Sequence, residues 1–259
     1  MLEPLRCICL KTEGFQHIIL PDGFGAFEEI FIKQIYFSVE EIARADLVID
    51  LGAHQGTFST YAILHMKPGS VLVAVEPNPR AFSVLAENIH LLQQVIAVKQ
   101  LKVHLINKAI YIHPGAVHLK ITKFSETAHI SCFGSMKVPS VTLKQLLIFG
   151  HNQEKSRILL KMDIEGTENV LLKDENSLKC MKMCECIAME PHGGIHQIKR
   201  TLENNGFKVR IKDFTLEPSL FRTWLNYKPL PYTVLISVYR FVVSLLAKPK
   251  ITIVKAQPR

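Results

Sequence analysis

From Pro218 to Arg259 the chain contains no aspartate and no glutamate. The same stretch holds seven bases, Arg222, Lys228, Arg240, Lys248, Lys250, Lys255 and Arg259, against a formal net charge of +8 for all 259 residues. Residues 1–217 are therefore close to neutral, at about +1, which argues against a uniformly basic nucleic-acid-binding surface. Charged residues are also scarce, 21% of the chain against a usual ~25%. Proline and glycine, at 13 each, are too few for a collagenous or low-complexity chain, and 48% hydrophobic residues exclude a disordered one. No internal repeat is visible. Met1–Leu10 carries Glu3, Pro4 and Arg6 and no long apolar core, so it does not read as a secretion signal. The six cysteines, Cys7, Cys9, Cys132, Cys180, Cys184 and Cys186, are then expected as free thiols in a reducing cytoplasmic setting. The spacing of the last three does not follow the paired C-x-x-C pattern of zinc sites.

What recurs is an alternation of strand-like and helix-like segments. Apolar runs at 47–51 and 71–75, with the mainly apolar segments 157–162 and 185–189, predict strands buried on both faces, and 102–112, 116–122 and 207–212 also read as strands. Helical spacing falls at 58–66, 79–94, 142–149, 166–172 and 194–205. Strands alternating with helices predict an α/β domain with a doubly wound, mostly parallel sheet. Its ligands belong at the carboxyl ends of the strands. Residues 1–45 are read as a lead-in packed on a core of residues 46–217, and residues 218–259 as a basic, apolar insertion with a last strand at 251–254 pairing with 207–212. Within that insertion, Leu230–Ala247 is mainly apolar but interrupted by Arg240 and preceded by Pro231. Thr233, Ser237, Arg240 and Ser244 fall on one stripe, so such a helix needs cover from its own sheet, an acidic partner or a membrane surface.

The first strand runs into Asp50-Leu-Gly52-Ala53-His54-Gln-Gly56-Thr57, a glycine turn opening a helix whose backbone N–H groups can meet an anion. About 20 residues on, Glu76 ends the second strand, where an acid can bind ribose hydroxyls. The loop lacks the middle glycine of the dinucleotide fingerprint and starts with an acid. That fits a cofactor with a carboxylate, a cationic end and a ribose but no phosphate, as in S-adenosylmethionine, better than NAD. Asp163, Glu165 and His192 follow later strands and are candidate general bases for an acceptor hydroxyl. Glu165 and Glu168 also suit the first turn of a helix, and His192 suits the turn before Gly193-Gly194. An Asp-x-Glu pair can hold a divalent cation, but no third ligand is evident in the sequence and no metal is assigned.

These blocks, with Ala74-Val-Glu76-Pro77-Asn78-Pro79, Glu87-Asn88 and Leu160-Lys-Met-Asp163-Ile-Glu165-Gly-Thr-Glu168, resemble the FkbM family of S-adenosylmethionine-dependent methyltransferases. Phe27–Tyr36 and Met189-Glu-Pro-His192 are similar to the family pattern as well. The resemblance spans about residues 27–207 and implies a Rossmann-like class I methyltransferase fold, a seven-stranded sheet with an antiparallel edge. His54 stands where the family usually has Asn; both tolerate a left-handed turn. Carried over by position, Asp50, Gly52, Ala53, His54 and Gly56 would line the methionine end, and Glu76 with Pro77 and Asn78 the ribose. Asn107 and Ala109 would border the adenine, and Asp163 would face the methyl group. The implied activity is O-methylation of a small molecule, sugar or glycolipid in the cytoplasm. The alternatives are a nucleic-acid methyltransferase or a non-catalytic cofactor-binding or membrane-associated module of the same fold.

Overall fold

The computed structural model describes residues 7–12, 14–19, 24–121, 128–150, 156–215 and 250–258. Its centre is a seven-stranded sheet. In chain order the strands are β1 (Leu47–Leu51), β2 (Val71–Val75), β3 (Lys102–Ile106), β4 (Ile158–Met162), β5 (Cys186–Met189), β6 (Phe207–Thr215) and β7 (Lys250–Pro258). Across the sheet the order is β6-β7-β5-β4-β1-β2-β3. The pairs from β5 to β3 are parallel, while β7 lies antiparallel to both β5 and β6. Lys212 stands opposite Ile253, the pairing expected for the chain's last strand. The proposed helix at 230–247 lies outside the described residues, and among those residues no helix is long and apolar enough to cross a membrane.

The apolar runs explain the layers. Successive residues of a strand face opposite sides: Ile49, Leu51, Val73, Leu160 and Met162 belong to one core cluster, and Val48, Leu72, Ala74, Leu159 and Ala188 to the other. Helix Thr57–His65, which covers the second face, is buried from Thr57 to Ile63. Its Phe58 and Tyr61 pack among Phe31, Tyr36 and Phe37 of the lead-in. Helix Pro79–His90 is amphipathic, with Ala81, Leu85, Asn88 and Ile89 buried and Asn78 as N-cap accepting from Arg80 N–H.

Two features were not legible in the sequence. Residues Cys7–Thr12 and Gly14–Ile19 form an antiparallel hairpin. The segments read as strands at 102–112 and 116–122 divide between the main sheet and a separate four-stranded sheet built from Ala109–Ile110, Gly115–Ile121, Ala128–Ile130 and Met136–Val141. The second sheet has only a small core, Ala109, Val117, Leu119 and Val138, so its apolar signal is weak.

The carboxyl ends of the parallel strands are stitched in sequence. Gly52 N–H donates to Val75 O, Glu76 N–H to Ile106 O, Asp163 N–H to Leu51 O and Glu190 N–H to Met162 O, at 2.9–3.1 Å. Each residue just beyond a strand is thereby held by its neighbour's last carbonyl. Gly52 adopts φ +73°, and a Cβ there would collide with the Asp163 carbonyl, so only glycine lets β1 and β4 end this close together. A Gly52→Ala chain is expected to lose about 3 kcal/mol from strain and overlap, seen as a thermal midpoint lower by roughly 6–12 °C; an unchanged midpoint would show that the loop relaxes freely.

Candidate active site

A cleft of about 220 Å³ opens over these strand ends. Its wall includes Gly52, Ala53, His54, Glu76, Pro77, Ala109, Lys161, Asp163 and Glu165. Ala26, Glu29, Ile30 and Tyr36 come from the lead-in, Glu190 from the end of β5, and Leu119, Ala128 and Ile130 from the second sheet. Most of the residues expected from the sequence thus converge, but not all in the expected role.

Asp50 does not line the cleft; it is fully buried beneath it. Register places Lys161 of β4 beside Asp50 of β1, with Ala74 and Ala188 as the outer neighbours in that row. The small alanines leave room for an ion pair inside the sheet. Lys161 Nζ lies 3.1 Å from Asp50 Oδ1, donates to Gly52 O at 2.6 Å, and lies 3.7 Å from Asp163 Oδ2. Ser59 Oγ donates to the second Asp50 oxygen at 2.7 Å. Burial pulls the Lys161 pKa down, but the charges of Asp50 and Asp163 outweigh it and hold the ammonium above its usual range. The cation also lies 5.3 Å from the Tyr36 ring centre.

Glu76 is 5% exposed. Its Oε2 accepts from His54 N–H at 2.8 Å and its Oε1 from Asn78 N–H at 2.7 Å. Burial pushes its carboxyl up to about 7 against the lowering effect of those two N–H groups. Each carboxylate oxygen has a second lone-pair direction available to a hydroxyl. Asn107 stays outside the wall but its Nδ2 donates to the Glu76 carbonyl at 2.8 Å, and Asn78 caps the next helix. Gly56, at φ +88°, is the N-cap of helix Thr57–His65. His54 has φ +50°, the left-handed turn that its position requires.

Across the cleft, Tyr36 Oη donates to Glu190 Oε2 at 2.9 Å and to Asp163 Oδ2 at 3.2 Å. Burial, with Asp163 and Glu190 close by, holds the phenol well above its usual pKa. His192 lies beside the wall: its Nε2 is 3.5 Å from Glu165 Oε2 and 3.9 Å from Asp163 Oδ1, and its Nδ1 is 3.3 Å from Glu168 Oε1. The hydrogen bond with Glu168 does most to raise His192 to about 9, against the opposing effect of burial. Glu168 is fully buried and its Oε1 also accepts from Ile164 N–H at 2.8 Å. It therefore ties the turn after β4 and does not reach the cleft. Glu165 is raised by burial, which outweighs the lowering effect of His192. Cys180, Cys184 and Cys186 are buried and do not gather as a metal cluster among the described residues.

Sequence reasoning missed Glu29, Tyr36, Lys161 and Glu190 as site residues. Glu29 is pushed to about 7 by burial, then by the charges of Glu190 and Glu28. All four lay within quoted family-like blocks, so position was visible and role was not. Glu29 precedes β1 and lies outside any strand-end rule.

A family model described as the methyltransferase FkbM domain matches residues 50–209. The chain is 29% identical to methyltransferase sdnD of Sordaria araneosa over 212 residues, covering 71% of this chain and 81% of that protein. Among solved structures, a methyltransferase FkbM from Methylobacillus flagellatus aligns at 13% identity and a TM-score of 0.43, covering 65% of this chain and 40% of that one. A SAM-dependent O-methyltransferase from Thermotoga maritima aligns at 10% identity and a TM-score of 0.43, covering 97% and 77%.

Two stability measurements check this electrostatic picture. Lys161→Met strands Asp50 and is expected to cost about 3–5 kcal/mol in urea unfolding; adding Asp50→Asn should return part of that loss, and full additivity of the two would contradict a direct pair. Because the His192 pKa is raised on folding, its stabilisation is complete below about 6.5 and declines as pH rises towards about 9. In metal-free buffer the stability gap between the natural chain and His192→Gln should therefore shrink across that window; a constant gap would show that His192 is not held as the imidazolium.

Proposed function

As the chain belongs to the FkbM family of methyltransferases, we propose that it transfers a methyl group from S-adenosylmethionine to a hydroxyl of a small molecule, sugar or glycolipid. The observation that carries this reading is the placing of buried Glu76 on the same cleft wall as the Gly52–His54 turn, with Asp163 on that wall at the end of β4. The residues fit such a donor. Glu76 would accept the ribose hydroxyls, the turn and the helix beginning at Thr57 would meet the methionine carboxylate, and Ala109 with Ile110 would offer an apolar face to the adenine. When bound, the donor supplies a methyl group on a positively charged sulfur.

The chain's own groups supply position and charge. Glu29, Asp163, Glu165 and Glu190 line the cleft, where Lys161 is the cation among the lining residues described. An acid-rich wall favours a cationic donor over the product that has lost the sulfonium charge, which helps release. The same wall repels a phosphate backbone, so a hydroxylated small molecule suits it better than nucleic acid. Lys161 and Tyr36 hold Asp163 Oδ2 and so fix that carboxylate at the reacting end; such positioning can contribute up to about 7–11 kcal/mol in well-oriented reactions. Of the base candidates expected from sequence, His192 is held towards its protonated form by Glu168 when no metal ion is bound, its pKa raised to about 9. Glu29, held near 7 on the cleft wall, is matched to the task of taking the acceptor's proton.

Calorimetry with S-adenosylhomocysteine should show one site per chain, weakened roughly 10- to 100-fold by Glu76→Ala, as for the loss of a hydrogen bond to a charged group. No binding, or binding indifferent to Glu76, would remove the proposal. With a labelled methyl donor and an extract as acceptor source, kcat/KM should rise with pH through about 7 and Glu29→Gln should abolish that rise. A rise retained in Glu29→Gln would assign the proton to another group.

A further inference from the structure

We propose that Asp163, Glu165 and His192 form a binding site for one divalent metal ion at the acceptor end of the cleft. The proposal rests on the methyltransferase reading only for what the ion does, not for the site itself. One oxygen of Asp163, one of Glu165 and one nitrogen of His192 lie within 4.8 Å of one another. His192 Nε2 is 3.5 Å from Glu165 Oε2 and 3.9 Å from Asp163 Oδ1. Adjacent ligands on an ion with bonds of about 2.1 Å stand about 3 Å apart, so shifts of up to about 1 Å in partly exposed side chains would close the shell. The third ligand that the Asp-x-Glu pair lacks in sequence is brought to it by the parallel register of β4 and β5.

The remaining polar atoms of His192 and Asp163 are already committed, in the manner of a supported metal site. His192 Nδ1 faces Glu168 Oε1 at 3.3 Å, the carboxylate–imidazole arrangement that orients a ligating histidine and raises its basicity. Glu168 is fully buried, and its Oε2 has no hydrogen-bond partner among the described residues. A buried carboxylate of this kind is costly unless cationic charge stands close by. Asp163 Oδ2 is occupied by Tyr36 Oη at 3.2 Å and by the Lys161 charge, which leaves Oδ1 for the ion. Three carboxylates around one imidazole exceed the charge that a proton on Nε2 supplies, and a dication meets that excess.

Two hard oxygens with one imidazole nitrogen suit a first-row divalent ion such as Mn²⁺. An acceptor hydroxyl completing the shell would become more acidic. Its O–H bond then breaks with the proton passing to Glu29, the oxygen lone pair forms the O–CH₃ bond, and the sulfur keeps the electron pair of the broken S–CH₃ bond.

The test is Mn²⁺ titration of the chelator-stripped full chain, with free Mn²⁺ read by its electron paramagnetic resonance signal. One equivalent should bind. Asp163→Asn and Glu165→Gln, which alter partly exposed side chains, should each weaken binding at least tenfold, and Glu168→Gln about 10- to 100-fold without removing a ligand. No binding to the natural chain would overturn the site and leave His192 as an imidazolium clasped by acids. Binding unaffected by the Asp163 and Glu165 substitutions would overturn it too. S-adenosylhomocysteine calorimetry in chelator separates the two readings: cofactor binding without Mn²⁺ binding removes only the metal, and Mn²⁺ binding without cofactor binding removes only the methyltransferase assignment.

Discussion

The buried ammonium of Lys161 is the constraint on which the site depends. It sits inside a parallel sheet, where a lone charge would be very costly, and is tolerated because Asp50 stands beside it in register while Asp163 lies one residue beyond its strand. One cation thereby serves both halves of the cleft. Through Asp50 and the Gly52 carbonyl it anchors the glycine turn, and through Asp163 it anchors the cleft wall at the end of β4. Its neighbours are small where they must be, Ala74 beside Asp50 and Ala188 beside Lys161. A larger apolar residue at either place would crowd the pair.

From that anchor the strand ends follow. Gly52, Glu76, Asp163 and Glu190 each donate their N–H to the terminal carbonyl of an adjacent strand. Chemistry at these positions inherits the rigidity of the sheet and does not rely on loop packing. The lead-in closes one side with Tyr36, whose hydroxyl joins Asp163 to Glu190, and the second sheet closes another with Leu119, Ala128 and Ile130. The result is a cleft with fixed carboxylates and few cations, suited to a positively charged donor.

The main sheet was legible because its central parallel strands are short and mainly apolar and helices Pro79–His90 and Ile195–Asn204 carry a 3.6-residue period. The glycine turn and Glu76 were legible because their spacing follows directly from the βαβ unit. The N-terminal hairpin was not legible, and neither was the second sheet, since few of the second sheet's residues are buried and alternation alone does not say which sheet a strand joins. Asp50 was misplaced for a related reason. An acid at a strand end looks like a ligand in sequence, and only the register with Lys161 reveals that its charge is spent inside. Glu29 and Tyr36 were missed because they reach the cleft from before the first sheet strand, while His192 became a partner of Asp163 and Glu165 only once β4 and β5 lay side by side. The basic tail is the one large feature of the sequence that stays apart from this account, since residues 216–249 lie outside the described structure.

The central claim is that this cleft brings a methyl donor to an acceptor hydroxyl held near Asp163. The most direct measurement is incubation of the full chain with S-adenosylmethionine carrying an isotopically labelled methyl group and a small-molecule extract, followed by mass spectrometry of the extract. The account predicts a labelled metabolite whose formation requires Asp163, being lost in Asp163→Ala. Label remaining wholly in the donor, in a chain that binds S-adenosylhomocysteine normally and across extracts of differing origin, would contradict it.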